Sequence, residues 1–320
     1  MKRSEKIGKK IIWVADSIVN FTVLVILLLL LALGSYAMWD SNQVYQEASA
    51  STYEMYKPTT DDSLSFEELQ ALNSDVFAWL SVYGTTIDYP VAQSTDNTKY
   101  LNRNIFGEYA LAGSLFLDYQ NARDFTDFNS IIYGHHMDKE VMFGGVDKFI
   151  DKTYFDERQY GNLFYGGKDH GVEFFAFLEA DAYDGTLFSV ALPENVRQQY
   201  LDNLLAKAKH TREIGVSIED RIVLLYTCTS NTTNGRHILV GRITDEIHAD
   251  VFQTDETVEK GRGVDGQTIW SFFRQIPIWI WGILWFVLLL LLLLLCQEKK
   301  KVRKHKGKEP YESESKDERS

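Results

Sequence analysis

The 320-residue sequence lacks several short motifs that carry enzyme chemistry: it has no CxxC pair, no HExxH segment and no glycine-rich phosphate loop. Each of these motifs sets metal-binding or phosphate-binding groups at a fixed spacing, so metal and nucleotide chemistry have no support in the sequence. No cofactor is therefore expected. Cysteine is also scarce, since Cys228 and Cys296 are the only two.

Positive charge is in deficit, with 33 Lys and Arg against 45 Asp and Glu and a net charge of −12. The ends of the chain are nevertheless basic, +4 over residues 1–10 and +3 over residues 297–320, which leaves −19 for the residues between them. So acidic a central segment argues against nucleic acid as a partner. The overall composition is that of a globular protein, and one sizeable core is expected.

Long apolar runs occur only near the two ends of the chain. Residues 17–39 carry no charge, and residues 276–295 are more apolar still, with Trp279, Trp281 and Trp285 near their start. At about 1.5 Å of rise per residue, a helix of either run can cross roughly 30 Å of hydrocarbon. Because indole rings favour the membrane interface, the second run fits a span equally well. Two transmembrane helices are predicted.

Lysines and arginines precede the first run and follow the second, which places both termini in the cytoplasm and the segment between them outside the cell. The predicted order is a cytoplasmic basic tail (1–16), a transmembrane helix (17–39), a juxtamembrane segment (40–64), an extracellular domain (65–246), a linker (247–275), a transmembrane helix (276–296) and a cytoplasmic tail (297–320). The alternative for the first run is a cleaved signal peptide, because Ser35, Tyr36 and Ala37 loosely fit a cleavage site. Cleavage would leave the second anchor in place.

The two cysteines fall on opposite sides of the membrane in this topology, so they cannot pair. A single unpaired thiol in an extracellular domain is unusual, because oxidising compartments favour paired cysteines or none. Cys228 is thus either a reactive thiol or an inert buried one. Cys296 is interpreted as membrane filler or a juxtamembrane acylation candidate.

Short apolar runs separated by turn residues fill most of the extracellular domain and predict a mainly β barrel or sandwich. The predicted strands are 77–82, 86–91, 114–117, 130–133, 172–180, 221–226 and 237–243. A helical lead-in is expected over 65–73, and 147–155 is expected to form a shorter helix or turn. Apolar residues at helical spacing, with Pro193 at the N1 position, predict a surface helix over 194–210.

Cys228 follows the apolar run 222–227, which predicts a buried strand that delivers the thiol at its C-terminal end. A nucleophilic thiolate requires a nearby cation or base, because an unperturbed thiol has a pKa near 8.5. His135 and His136 end a second apolar strand after Gly134 and are the candidate bases. The remaining histidines of the domain lie in polar or helical contexts that predict solvated side chains: His170, His210, His237 and His248.

Arg236 follows Cys228 by eight residues across a polar turn, which is hairpin spacing. Such a hairpin would bring a guanidinium beside the thiol, where it could favour the thiolate and hold a developing oxyanion. Arg242, at the far end of the same predicted strand, is the rival cation. The spacing alone does not choose between them.

Leu225, Thr227 and Cys228 lie at the end of a predicted strand, with His135 upstream and Arg236 downstream. In these residues the chain resembles the sortases of Gram-positive bacteria, and class B in particular. The resemblance covers about 65–245 and includes 75–80, 87–91, 100–104, 113–118, 133–135 and 142–144. It implies an eight-stranded sortase-type β-barrel with N-terminal helices and a surface helix, flanked here by the two transmembrane helices. The extracellular domain would be the catalytic domain.

The resemblance also implies an activity, cysteine transpeptidation. Cys228 would attack the carbonyl of a Thr in the C-terminal sorting signal of a surface protein or pilin, and an amine of a cell-wall precursor or pilin would resolve the thioacyl-enzyme. His135 would act as acid and base, and Arg236 would stabilise the anion. The alternatives are a membrane-bound thiol peptidase that releases its product to water and a non-enzymatic surface scaffold.

Two features depart from the family pattern. Leu224 occupies the position where the motif before the cysteine usually opens with Thr. The second predicted span is typical of the pilin-polymerising class C enzymes, although the Asp-Pro-aromatic lid of that class is not evident. The interpretation is therefore a class B sequence with a class C-like anchor, for which pilus assembly is an open possibility.

Overall fold

The computed structural model describes residues 2–59, 64–228 and 235–252, which lie in the first of two compact units, Met1–Gly261. The predicted second span over 276–296 and the predicted tail over 297–320 lie outside the described residues. Most of the predicted linker does so too, as do residues 229–234 of the turn between Cys228 and Arg236.

Helix α1 (Lys2–Glu47) contains the whole of the predicted first span and extends beyond it at both ends. Its apolar side chains face outward, and Phe21, Leu29 and Leu33 are each at least 65% exposed. Within the described residues, Ile11–Glu47 is the one stretch that is long and apolar enough to cross a membrane. The length and composition of α1 therefore agree with the prediction of an N-terminal anchor.

After α1, two short 3-10 turns (Ala50–Thr52 and Glu54–Tyr56) and helix α2 (Leu64–Leu72) lead into the barrel. The predicted helix over 65–73 is thus confirmed with its start one residue earlier. Phe66 and Leu69 of α2 are buried, and Phe66 packs its ring edge against Phe164 at 5.4 Å. The lead-in is consequently part of the folded domain.

Within the part of the chain that the structure describes, nine strands form one sheet. They are β1 (Val76–Val82), β2 (Asp88–Ala92), β3 (Leu115–Leu117), β4 (Asn129–Tyr133), β5 (Tyr160–Tyr165), β6 (Lys168–Asp181), β7 (Ala208–Thr211), β8 (Arg221–Cys228) and β9 (Gly235–Thr244). Helix α3 (Lys152–Glu157) precedes β5, and helix α4 (Glu194–Lys207) lies between β6 and β7.

Eight of the strands close into the predicted barrel. Their order is β5-β1-β2-β3-β4-β8-β9-β6, and β6 pairs with β5 to complete the circle. The pairs β2–β3 and β4–β8 are parallel, whereas the other pairs are antiparallel. The short strand β7 adds a ninth member on the second half of β6.

The predicted helix over 194–210 ends earlier than expected, because β7 begins at Ala208. Pro193 is the N-cap of α4 rather than its first helical residue, and its ψ of 150° is that of an extended backbone. The position of α4 on the barrel surface agrees with the prediction. Tyr200, Leu201 and Leu204 are its buried residues.

Strand β8 is buried on both faces, which explains why its sequence is continuously apolar rather than alternating. Val223 and Leu225 point into the barrel core, while Ile222 and Leu224 join a second core under α4. These four side chains have no exposed surface. The helix therefore covers the outer side of the strand that ends at Cys228.

His170 is 2% exposed, so the prediction of a solvated side chain was wrong for this residue. Its ring stacks on Tyr165 at 3.8 Å between centroids. Burial lowers the pKa of His170 below 6.5, and nearby Lys168 and Arg221 act in the same direction. The carbonyl of Leu163 opposes this effect.

We expect His170 to make the fold less stable in acid. Because its pKa is lower in the folded chain, unfolding takes up a proton, and the free energy of unfolding falls as the pH drops below about 6.5. His170→Phe keeps the ring stack but cannot take the proton, so its stability should fall less between pH 7 and pH 5. Denaturant titrations across that range measure the difference. His248→Phe, whose ring stacks on Tyr160 but is only half-buried, serves as control, and equal pH slopes for wild type and His170→Phe would contradict the expectation.

Candidate active site

The strand order brings three chain segments to one end of the barrel. Since β4 and β8 are parallel, with Tyr133 paired to Tyr226, their C-terminal ends lie at the same rim. Strand β9 runs antiparallel to β8 and begins at that rim, where the backbone of Arg236 pairs with that of Cys228. Residues that directly follow β4, end β8 and begin β9 therefore meet there.

A groove of about 320 Å³ opens at this rim. It is lined by Asn97, Leu101, Phe116, Tyr133, Gly134, His135, Tyr226, Thr227 and Arg236. Two of the three residues predicted from the sequence, His135 and Arg236, thus line one groove. The third, Cys228, directly follows Thr227 of the groove wall at the end of β8.

His135 is anchored through its ring and its backbone. Its Nε2 lies 2.7 Å from the carbonyl oxygen of Leu101. A carbonyl can only accept a hydrogen bond, so Nε2 is the donor, and Nδ1 is the ring nitrogen left to give or take a proton. The preceding Gly134 donates its N–H to Tyr226 at 3.1 Å, and a Cβ there would come within 2.5 Å of Phe143. Only glycine permits this close approach.

Arg236 and Arg242 lie at opposite ends of β9. The Nη1 of Arg236 donates to the Gly235 carbonyl at 2.8 Å, and among the described residues it forms no ion pair. The Nε of Arg242 lies 2.9 Å from the Glu173 carboxylate, and a second nitrogen of the same guanidinium also contacts it. The structure therefore brings Arg236 to the groove, whereas Arg242 has a partner elsewhere.

One wall of the groove is held by Asp118, which the sequence did not single out. The Tyr133 hydroxyl donates to Asp118 Oδ2 at 3.0 Å, and the Asn97 amide donates to the same oxygen at 2.8 Å. Burial, together with the negative charge of Asp118, raises the pKa of Tyr133. Tyr133 therefore remains a neutral donor, and the wall keeps one shape.

The prediction of a solvated His237 was wrong, because this residue is 2% exposed. Its Nδ1 lies 2.5 Å from Asp147 Oδ1. The other oxygen of the same carboxylate lies 2.7 Å from Nε2 of His136. Asp147, like Asp118, was not singled out from the sequence, since it follows no strand and belongs to no recognised motif.

No family model matches the chain. It is 35% identical over 207 residues to sortase B of Listeria monocytogenes, an alignment that covers 64% of this chain and 82% of that protein. Among solved structures, it is similar to sortase B from the type II pilus of Streptococcus pneumoniae, with 47% identity and a TM-score of 0.50 over 57% of this chain and 99% of that one.

A class B sortase of Streptococcus pyogenes involved in pilus biogenesis is also similar, with 40% identity and a TM-score of 0.52 over 56% of this chain and 97% of that one. The barrel, its lead-in helix and these likenesses define a transpeptidase of the sortase type. The chain belongs to the sortase family, within its class B.

Proposed function

We propose that the chain is a cysteine transpeptidase that cuts a C-terminal sorting signal and joins the new carboxyl end to an amine. The observation that carries the proposal is the convergence of His135, Arg236 and the end of β8 on one groove. In this proposal Cys228 is the nucleophile, His135 the acid and base, and Arg236 the anion stabiliser.

In the first half of the proposed reaction, the Cys228 thiolate adds to the carbonyl carbon of a Thr in the sorting signal. Arg236 holds the negative oxygen that forms, because a fixed guanidinium favours the transition state over the uncharged substrate. The C–N bond then breaks, and the leaving amine takes from His135 the proton that the imidazole had received from the Cys228 thiol. The products of this half are a thioacyl-enzyme and the released C-terminal fragment.

In the second half, an incoming amine gives a proton to His135 and attacks the thioester carbon. The C–S bond breaks, and the thiolate of Cys228 is restored. Protons and electron pairs balance without a cofactor. The proposed acceptor is an amine of a cell-wall precursor or of a pilin, and the pilus relatives in two Streptococcus species favour the pilin amine.

We propose further that the catalytic domain lies outside the cell membrane with both termini in the cytoplasm. The apolar stretch Ile11–Glu47 supports an N-terminal anchor. The basic residues at both ends of the chain support this orientation. The orientation is tested with one new cysteine at either terminus of a chain that lacks Cys228 and Cys296, treated in intact cells with a membrane-impermeant thiol reagent. Labelling of either terminus before the membrane is opened would contradict the proposed orientation.

The activity is tested with the full-length chain in detergent micelles, a panel of sorting-signal peptides that contain Thr, and two amines, one from a wall precursor and one from a pilin lysine peptide. Mass spectrometry should find the peptide joined to at least one amine. Cleavage that ignores added amine would indicate the thiol peptidase instead. Binding of peptide without any cleavage would indicate the non-enzymatic scaffold.

Arg236→Gln should lower kcat/KM on the order of 10²- to 10³-fold, because removal of one oxyanion donor typically has this effect. Arg242→Gln makes the same change on the same strand at the opposite end and should stay within about twofold of wild type, since Arg242 pairs with Glu173 away from the groove. Initial rates of peptide transfer compare the two. Equal losses for both variants would assign the anion role elsewhere.

A further inference from the structure

Outside the groove, one carboxylate connects the two segments that carry His135 and Arg236. Oδ2 of Asp147 accepts a hydrogen bond from Nε2 of His136 at 2.7 Å, and Oδ1 accepts one from Nδ1 of His237 at 2.5 Å. His136 directly follows His135, and His237 directly follows Arg236. Each imidazole donates from the nitrogen that faces the carboxylate, because a carboxylate oxygen only accepts. We call this arrangement the His136–Asp147–His237 bridge.

The bridge lies behind the groove rather than in it. Successive side chains of an extended chain point to opposite sides, so fixing His237 also fixes the side from which Arg236 projects. His135 faces the groove and contacts Leu101, while its neighbour His136 turns the other way to Asp147. A single carboxylate thus contacts the neighbour of each of the two groove residues.

Each member of the bridge is at least partly buried. The side chain of His237 is 3% exposed, that of His136 16% and that of Asp147 26%. Asp147 belongs to the 3-10 helix Gly144–Ile150, in which Val146 and Phe149 are fully buried. On the other side of His237, Nε2 lies 3.7 Å from Glu179, a carboxylate that Lys209 also pairs with.

The segment between His135 and this 3-10 helix does not hold its shape by local preference. Lys139, Glu140 and Met142 all have positive φ, at 59°, 60° and 53°. Residues other than glycine disfavour this left-handed region of backbone conformation. Gly144 packs against the Met137 carbonyl so closely that a Cβ would lie 1.9 Å from its oxygen. Contacts from outside the loop must therefore maintain it, and the bridge supplies one of them.

We propose that Asp147 is a positioning residue for transfer: through His136 and His237 it sets the separation of the His135 imidazole and the Arg236 guanidinium across the groove. This inference rests on the proposed function. A displacement of about 1 Å between reacting groups can lower a rate on the order of 10²-fold, so loss of the bridge should act mainly on the chemical step. Peptide binding should change little, because Asp147 is not among the residues that line the groove.

The test compares Asp147→Ala with Asp151→Ala in the full-length chain, well below the Tm of each. Asp147→Ala should lower kcat by about 10- to 100-fold with KM within about threefold of wild type. Asp151 lies four residues along the chain and caps α3 by accepting from the Tyr154 N–H, so its variant should lower Tm and leave kcat unchanged. Asp147→Asn keeps the shape and part of the hydrogen bonding and should fall between wild type and Asp147→Ala, which preserves the test if the alanine variant does not fold.

A double-variant cycle separates a shared bridge from independent effects. Because Asp147 and His136 act through one contact, Asp147→Ala with His136→Gln should be no slower than the slower single variant. The positioning role would be overturned if Asp147→Ala or Asp147→Asn kept the wild-type kcat. It would also be overturned if the rate loss of the double variant equalled the product of the two single losses. Either result would leave transfer by the wild-type chain, and with it the proposed function, intact. Absence of transfer by wild type itself would instead overturn the proposed function, and the positioning role with it.

Discussion

Cys228→Ala is expected to abolish both peptide cleavage and amine joining while leaving the fold intact. Every covalent step of the proposed reaction runs through the thiolate, so its loss should reduce the rate on the order of 10⁴-fold or more, to background. Product formation followed by mass spectrometry gives the rate. A thioacyl-enzyme, visible as a mass increase when amine is withheld, should form on wild type and not on the variant.

Cys296→Ala is the matched control, since it removes the other cysteine of the chain. It should transfer at the wild-type rate. Thermal unfolding of both variants should stay within a few degrees of wild type. Retained joining by Cys228→Ala would remove the nucleophile from the proposal, and a large loss of thermal stability would favour a structural role for the thiol.

His135→Ala is expected to have the second-largest effect. It removes the group that protonates the leaving amine and deprotonates the incoming one, and general acid and base catalysis of this kind contributes on the order of 10²- to 10⁴-fold. Single-turnover formation of the thioacyl-enzyme and its resolution by amine should both slow. The two steps are measured separately, because a group that serves only one of them would leave the other unchanged.

His210→Ala provides the comparison for His135→Ala. The Nε2 of His210 lies 2.8 Å from the Ile150 carbonyl, much as Nε2 of His135 lies 2.7 Å from that of Leu101. Both side chains are half-buried, so the two substitutions remove similar contacts. Only His135→Ala should lose activity, because His135 lines the groove and His210 does not. A His135→Ala enzyme that retained more than about a tenth of the rate would not fit an acid and base role.

Most of the barrel could be predicted from sequence because its strands are short apolar runs between turns. Strand β5 was missed because Gly161 and Asn162 interrupt its apolar pattern. Strand β7 was missed because its residues continue the helical composition of α4, and only pairing with β6 makes them extended. Tertiary contacts therefore decided the structure of the two segments that the local sequence left ambiguous.

The site was predictable to the extent that its residues end or begin strands. His135 and Arg236 stand at such ends, and the strand register brings them to one groove. The choice between Arg236 and Arg242 needed the partner Glu173, which is distant in sequence. Asp118 and Asp147 could not be found, because loop carboxylates acquire their roles only through neighbours that the fold supplies.

The parallel pairing of β4 with β8 joins residues 93 positions apart in the chain, such as Asn129 and Ile222. Contacts between residues so far apart in sequence form slowly, because the long segment between them must be closed into a loop. The rim that carries the groove needs β4, β8 and β9 together, and β9 is the last of these strands in the chain. The groove therefore cannot exist until residues as far as Thr244 have been synthesised, whatever the earlier strands have already formed.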